Sequence, residues 1–266
     1  MVGPLLYTPP AADLRQLKAL DTFSPEYLAW HMRLFEVFAG GAHDLSNEGH
    51  DYPGEGGGPP RFPFPFQLGP TQAGYWTVIY GHLLQRLDLP ADALVLEVGY
   101  GPGGLTELLV RAGLQVTAVD PRPGNAAYVR SRVEPLGHPV IALTGKIEDV
   151  PLAPPYDAVI FFESFHHIPK FHEALERLVP TLAPGGKLVF AAEPVVDDDD
   201  PIVPYPWGLR LDGGSLGAAR AVGWLEIGFQ RSFFEQMLTN LGLQWSFVSH
   251  LFGYHHSMIY IAQRTP

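Results

Sequence analysis

The chain contains no cysteine, which rules out disulfides and thiolate metal sites and suits a reducing compartment; a cytoplasmic location is expected. Basic residues are few: 17 Lys and Arg face 28 Asp and Glu, for a formal net charge of −11. A surface of that sign repels phosphate backbones, so no nucleic-acid partner is expected. No apolar run approaches the roughly 18 residues needed to cross a bilayer. Nor do residues 1–10 hold a basic segment followed by an apolar core, so neither a secretory leader nor a membrane partner is expected. Internal repeats and low-complexity tracts are also missing. What remains is a 266-residue chain, long enough for one large domain, or one domain with a cap, around a sizeable core.

The most informative stretch is LVLEVGYGPGG, residues 94–104. Its apolar run, bounded by glycines, predicts a strand buried on both faces. Leu105, Leu108, Leu109 and Ala112 then fall at helical spacing, so a helix starts directly after the glycines. Strand, glycine turn and helix in succession aim backbone N–H groups at a ligand. Gly99, Gly101 and Gly103 carry no Cβ, so the turn admits positive φ and close approach to the main chain. A second strand, residues 115–119, ends in Asp120. That acid lies 21 positions beyond Gly99 (120 − 99), the spacing at which a carboxylate accepts hydrogen bonds from a ribose diol. Gly99, Gly101 and Gly104 also satisfy the G-x-G-x-x-G dinucleotide fingerprint, so the turn alone leaves the nucleoside open.

Strands and helices continue to alternate: a helix near 124–133, strands at 138–143 and 156–163, a helix at 171–179 and a strand at 187–192. Such alternation predicts a mostly parallel sheet with ligands at the carboxyl ends of its strands. Glu97, Asp120, Glu163 and Glu193 all fall at or near such ends. Glu97 lies two residues before the first glycine, and Leu182-Ala183-Pro184-Gly185-Gly186-Lys187 precedes a later strand. Together these resemble the class I S-adenosylmethionine-dependent methyltransferases, with their acid-x-Gly-x-Gly-x-Gly motif and their fifth strand after a Pro-Gly-Gly turn. The resemblance covers residues 90–195 and, more loosely, the strands after 230.

The resemblance implies an α/β, Rossmann-like seven-stranded sheet, mostly parallel with an antiparallel last strand, flanked by helices. It implies S-adenosyl-L-methionine as cofactor. Gly99, Gly101 and Gly103 would then bend around the methionine and ribose, Glu97 would support the bend, and Asp120 would hold the ribose hydroxyls. Pro121 and Arg122 would flank the adenine, and Phe162 and Glu163 would border the methionine amino end. The loop from Gly145 resembles the family's adenine loop, but Lys146 stands where an acid is usual. Glu148 or Asp149 takes over there, or the base is read by backbone near Ile147.

The flanks carry the acceptor readings. Residues 1–88 are expected to form an N-terminal helical and loop cap, and 89–266 the core, with an insertion at 194–229. Ser24-Pro25-Glu26 opens a helix with a cap residue, a proline at the first position and an acid in the first turn. Leu28, Met32, Phe35 and Phe38 mark its apolar stripe, and Gly40-Gly41 ends it. The long loop 42–69 contains His43-Asp44 and His50-Asp51, ligand types suited to zinc or iron. The reading carried forward is a lid at the substrate mouth, with His43 and His50 facing substrate and no metal. Phe62, Phe64 and Phe66 would help such a loop close. A helix is expected over 70–87, another over 232–241, and a closing strand pair at 244–249 and 257–262. In the insertion, Asp197–Asp200 reads as a solvated turn. Tyr205 and Trp207 form the wall of the acceptor pocket or pack the insertion down; the first places them in contact with substrate.

His166 and His167 follow the fourth strand and are the candidate catalytic pair, since imidazole deprotonates an acceptor near neutral pH. A metal held by Glu163, Glu193 and a histidine is a competing use of the same strand ends. The function expected is methyl transfer to a small-molecule acceptor, such as a specialised metabolite or sugar derivative. The alternatives are an NAD(P)-dependent oxidoreductase, which would need a catalytic pair such as Tyr-x-x-x-Lys that is not evident, and a non-catalytic donor-binding partner subunit.

Overall fold

The structure, a computed structural model, describes residues 4–49, 69–137 and 140–264. His50 and the phenylalanines at 62, 64 and 66 lie outside the described residues. In chain order the helices and strands begin with α1 (Ala11–Lys18), α2 (Pro25–Ala39) and α3 (Pro70–Leu87). Then come β1 (Leu94–Val98), α4 (Gly104–Arg111), β2 (Gln115–Asp120), α5 (Pro123–Val133), β3 (Val140–Thr144), β4 (Tyr156–Phe162), α6 (Phe171–Leu178) and β5 (Leu182–Ala191). They finish with β6 (Val195–Val196), β7 (Trp207–Leu209), α7 (Gly213–Val222), β8 (Ile227–Gln230), α8 (Arg231–Asn240), β9 (Leu243–Val248) and β10 (Ile259–Arg264). Among the described residues, no helix is long and apolar enough to cross a membrane.

The chain divides into two compact units. One holds the residues up to Glu48, with His166–His172 and Pro194–Leu241; the other holds Gly49–Phe165, Glu173–Glu193 and the residues from Gly242 on. The N-terminal helices and the insertion thus share a unit, while α3 belongs with the sheet.

The second unit is built on a seven-stranded sheet in the order β3-β2-β1-β4-β5-β10-β9. Strands β3 to β5 run parallel, and β10 lies antiparallel to both β5 and β9. This is the expected Rossmann-like sheet with its antiparallel closure. Order reverses between β1 and β4, the place where open α/β sheets bind ligands. The central strands are apolar because both faces are covered: Val95, Leu96, Val159, Ile160 and Phe161 are fully buried. Burying each such side chain stabilises by about 1.5–3 kcal/mol. The Pro184-Gly185-Gly186 segment lies inside β5, where the pairing jumps from Tyr156↔Leu182 to Ala158↔Lys187. It is therefore a bulge within the strand, rather than a turn ahead of it.

In the first unit, α2 starts as its sequence dictates. Ser24 Oγ accepts from the Tyr27 N–H at 3.2 Å, Pro25 occupies the first turn, and Gly40 ends the helix in the left-handed region. Its buried face is Tyr27, His31, Leu34 and Phe35. Of the stripe expected from spacing only Phe35 is fully buried; a histidine and a tyrosine took positions that an apolar pattern could not flag. Against this face lie Tyr205 and Trp207, 0% and 1% exposed. The Tyr205 hydroxyl donates to Leu209 O, Trp207 Nε1 donates to Thr22 O at 3.0 Å, and Tyr27 donates to Trp207 O at 2.7 Å. The expectation that Tyr205 and Trp207 face substrate is therefore corrected: both rings are interior, and their polar atoms are satisfied there. A small sheet, β6-β8-β7, and helix α7 complete the insertion.

His31 is the exception in this core. Burial drives its pKa down to about 3, so the ring is neutral. Nδ1 accepts from the Leu209 N–H at 3.3 Å, and Nε2 has no hydrogen-bond partner among the described residues. A histidine whose folded pKa is depressed adds stability that is fully present above its unfolded value of 6.5. That stability is lost as pH falls toward the folded value. Replacing His31 with Phe orphans the Leu209 N–H, a pH-independent cost of about 1–3 kcal/mol. The wild type should nevertheless lose more stability than His31→Phe between pH 7 and pH 4, read from urea midpoints. Parallel losses would exclude His31 as the acid-sensitive group.

Candidate functional site

The glycine bend after β1 is set by a carboxylate. Asp120, at the end of β2, accepts from the Gly101 N–H at 2.8 Å through Oδ2, and from the Arg122 N–H and Asn125 Nδ2, each at 2.9 Å, through Oδ1. Burial pushes its pKa upward against those donors. Gly99, Gly101 and Gly103 all have positive φ, at 75°, 50° and 76°. Their surroundings differ. A Cβ on Gly103 would lie 2.0 Å from Val129 Cγ2 and one on Gly99 2.4 Å from Ser164 Cβ, whereas none of the described residues lies within 4 Å of one on Gly101. Two of the glycines thus serve close packing, and Gly101 is the one with space beside it among the described residues.

Glu97 is buried beneath the bend, with Thr106 Oγ1 donating to it at 2.6 Å. Burial, with Asp120 nearby, pushes its pKa up to about 7 despite that hydrogen bond. Its carboxylate therefore ties β1 to the first turn of α4. Pro121 and Arg122 follow β2 directly and are half-buried. In the loop after β3, Ile147 is buried, Glu148 is half-buried and Lys146 is exposed.

The end of β4 is equally constrained. Phe162 packs on Tyr80 and Trp76 of α3, at ring distances of 5.5 and 6.0 Å. Glu163 adopts φ 49°, uncommon for a residue with a side chain. Its carboxylate lies 2.9 Å from His256 Nε2, and the Tyr75 hydroxyl meets His256 Nδ1. Glu193 Oε1 accepts from the Ser164 and Phe165 N–H groups at 2.9 and 3.0 Å. These occupations speak against Glu163 and Glu193 as joint metal ligands.

The histidine pair lies in the other unit. His166 and His167 have ring centres 4.2 Å apart, and His166 Nε2 lies 3.5 Å from Glu226 Oε2. His166, His167 and Glu226 present ligand atoms within 4.8 Å of one another. Arg210 already compensates Glu226 at 3.2 Å and stands 3.4 Å from Asp212, so a cation occupies that side of the cluster. His167 Nδ1 meets Leu225 O at 2.8 Å and Glu48 Oε2 at 3.0 Å. His43, expected to face substrate, instead holds Glu48 through Nε2 at 2.7 Å. Glu48, Arg210 and Glu226 were not singled out by the sequence; the only local signal was Asn47-Glu48 between the two His-Asp pairs.

A parallel sheet reversing at β1/β4, with a glycine bend pinned by the acid ending β2, defines a Rossmann-like nucleoside-binding domain. Residues 96–190 match the methyltransferase domain family. The chain is 34% identical over 115 residues to an uncharacterized methyltransferase of Geobacillus kaustophilus (strain HTA426), covering 42% of this chain and 52% of that one. It is 37% identical over 105 residues to the ubiquinone biosynthesis O-methyltransferase of Xanthomonas axonopodis pv. citri (strain 306), covering 39% and 44%. The chain thus spans about half the length of the curated relatives it matches. In fold it is similar to a SAM-bound amino pentose methyltransferase from Micromonospora echinaspora, with TM-score 0.55, 21% identity, and 75% and 98% of the chains covered. A Burkholderia thailandensis 1,6-didemethyltoxoflavin-N1-methyltransferase gives TM-score 0.51 at 20% identity, covering 74% and 79%. Residues 96–190 thus carry a methyltransferase domain on a Rossmann-like sheet.

The glycine geometry has a direct test. Gly101→Ala should cost only the left-handed strain, about 1–2 kcal/mol. Gly103→Ala adds a collision with Val129 worth about 1–3 kcal/mol more. Denaturant unfolding should therefore rank Gly103→Ala as clearly less stable, and equal losses would contradict the packing described.

Proposed function

We propose that this chain transfers a methyl group from S-adenosyl-L-methionine to a small-molecule acceptor, a sugar derivative or another specialised metabolite. The observation that carries the reading is the Asp120–Gly101 contact, which presents an open main-chain cradle beside a carboxylate with lone pairs to spare. A carboxylate offers about four acceptor sites, and three are taken here. That leaves capacity for a ribose hydroxyl. Gly99, Gly101 and Gly103 shape the cradle, and Glu97 braces it. Pro121, Arg122, Ile147 and Glu148 are assigned to the adenine, and Phe162 and Glu163 to the amino-acid end. The donor supplies an electrophilic methyl carbon on a sulfonium. The protein's own contribution is to hold both reactants in line and exclude water.

Residues 1–88 and the insertion 194–229 are assigned to acceptor recognition, with His166 and His167 supplying the imidazole that removes the acceptor's proton. The amino pentose and didemethyltoxoflavin named for the two structural neighbours support a small acceptor. The acidic net charge of −11 supports the absence of a nucleic-acid partner, and the lack of cysteine supports a cytoplasmic setting.

Calorimetry on protein stripped of carried-over nucleoside tests the proposal. S-adenosylmethionine and S-adenosylhomocysteine should both bind, NADH and NADPH should not, and Asp120→Ala should weaken binding about tenfold or more, the worth of one charge-assisted hydrogen bond. Absence of heat with both sulfur nucleosides would overturn it.

A further inference from the structure

Glu48 is a carboxylate deep in the first unit, 4% exposed, that the methyl-transfer reading does not use. Its position is built locally. Asp44 caps the single turn Leu45–Asn47 by accepting from the Ser46 N–H at 2.8 Å, and the Glu48 N–H closes that turn on Leu45 O at 3.0 Å. A Cβ on Gly223, the residue ending α7, would lie 2.9 Å from Asn47 Nδ2, so the turn is clamped by close packing. Glu48 Oε1 then accepts from the Leu225 N–H at 2.7 Å and from His43 Nε2 at 2.7 Å. Oε2 lies 3.0 Å from His167 Nδ1. Leu225 serves both partners, its N–H going to Glu48 and its carbonyl to His167.

Among the described residues, the groups that face His167 Nδ1, the Leu225 carbonyl and the Glu48 carboxylate, are both acceptors. Nδ1 must therefore carry a proton, and in the neutral ring the lone pair falls on Nε2. We infer that Glu48, steadied by His43, is a positioning residue that fixes His167 as the Nδ1–H tautomer and makes Nε2 the base for an acceptor whose reacting atom is protonated: an alcohol, a phenol or an ammonium group. This deepens the methyl-transfer proposal and rests on it for the identity of the reaction.

The step balances. The acceptor's lone pair forms the new bond to the methyl carbon, the sulfur–carbon pair stays on sulfur, and the acceptor's proton passes to His167 Nε2. The resulting imidazolium faces the Glu48 carboxylate, which repays its formation electrostatically. Glu48 is ionised for this role. Burial raises its pKa, but His167, His43 and the Leu225 N–H outweigh that and hold it at about 2. Among the described residues, the other groups around His167 include His166 with its partner Glu226, Arg210 beyond Glu226, and the Trp224 ring at 6.0 Å. Arg210 and Glu226 offset one another, and Glu48 is the carboxylate set against the ring at Nδ1. An acceptor already anionic at neutral pH would need none of this.

Imidazole nitrogen NMR of the full-length 15N-labelled protein between pH 5 and 9 tests the assignment, with His167→Gln to identify the signals. In the wild type, neutral His167 should show a protonated Nδ1 and an unprotonated Nε2. Glu48→Gln should lower the His167 pKa by about one unit or more, the effect of a neighbouring opposite charge, and Glu48→Asp should restore part of it. A protonated Nε2 in the neutral wild type, or a pKa unmoved in Glu48→Gln, would overturn the inference. Should Glu48→Gln fail to fold, the wild-type tautomer and the Glu48→Asp shift decide. Added Zn2+ that binds stoichiometrically and moves both histidines' Nε2 signals would also overturn it, because a nitrogen held by metal cannot take a proton. S-adenosylhomocysteine calorimetry on the same samples separates the two claims. Loss of donor binding in the wild type sinks the methyl-transfer reading, while the tautomer is read independently of it.

Discussion

The hydrogen bond from the Gly101 N–H to Asp120 joins the ends of two adjacent parallel strands. β1 and β2 pair from Leu94↔Gln115 to Val98↔Val119, so the bend after one strand and the acid after the other emerge side by side. The Gly99 N–H continues the ladder to Val119 O at 2.7 Å, and only beyond it does the chain leave the sheet. Strand register therefore decides where the acid meets the bend. A shift of one residue would turn Asp120 to the other face, away from the Gly101 N–H it accepts from. The buried apolar strands hold that register, which is how core packing reaches the glycine bend.

The same logic runs through the end of β4. Ser164 Oγ donates to Val98 O at 2.6 Å while Glu193 caps the next two amides. Three strand ends, β1, β4 and β5, are thus tied by side chains that look catalytic when read by type alone. Glu163 is the strained member, held in the left-handed region and paired to His256. The hydrogen bonds of Glu193 and the pairing of Glu163 mark these strand-end acids as ties between loops.

How far the sequence could be read follows from distance along the chain. The bend, its helix and Asp120 lie within 21 positions (120 − 99), and strand and helix periods marked each in turn. The five parallel strands and the antiparallel pair were legible for the same reason. In the first unit α2 and α8 were legible too, but the insertion was not. Its strands are two to four residues long, too short to show alternation. Helix α7 begins Gly213-Gly214 and reads as loop, yet Asp212 accepts from both the Gly214 and Ser215 N–H groups and nucleates it. Tyr205 and Trp207 looked like pocket walls because aromatic residues suit both pockets and cores; hydroxyl and indole donors satisfied inside the unit settle which. Glu48 meets Leu225 across 177 positions, a contact no local pattern encodes.

Three buried carboxylates show how the fold sets charge. Glu97 has one hydroxyl donor and a like charge nearby, so burial prevails and its pKa rises to about 7. Asp120 has three N–H donors and is still raised, because burial remains the larger effect. Glu48 has one amide and two imidazoles, which together overcome burial and hold it at about 2. The stability consequences oppose one another. Glu97 favours the folded state fully below its unfolded value of 4.5, a contribution lost as pH rises through about 7. Glu48 favours it above 4.5, a contribution lost as pH falls through about 2. An acid beneath the cradle that gains its charge only near neutrality, and one beside His167 that keeps its charge throughout, are different instruments. The first is brought toward ionisation by any cation placed above it; the second imposes its charge on whatever stands next to it.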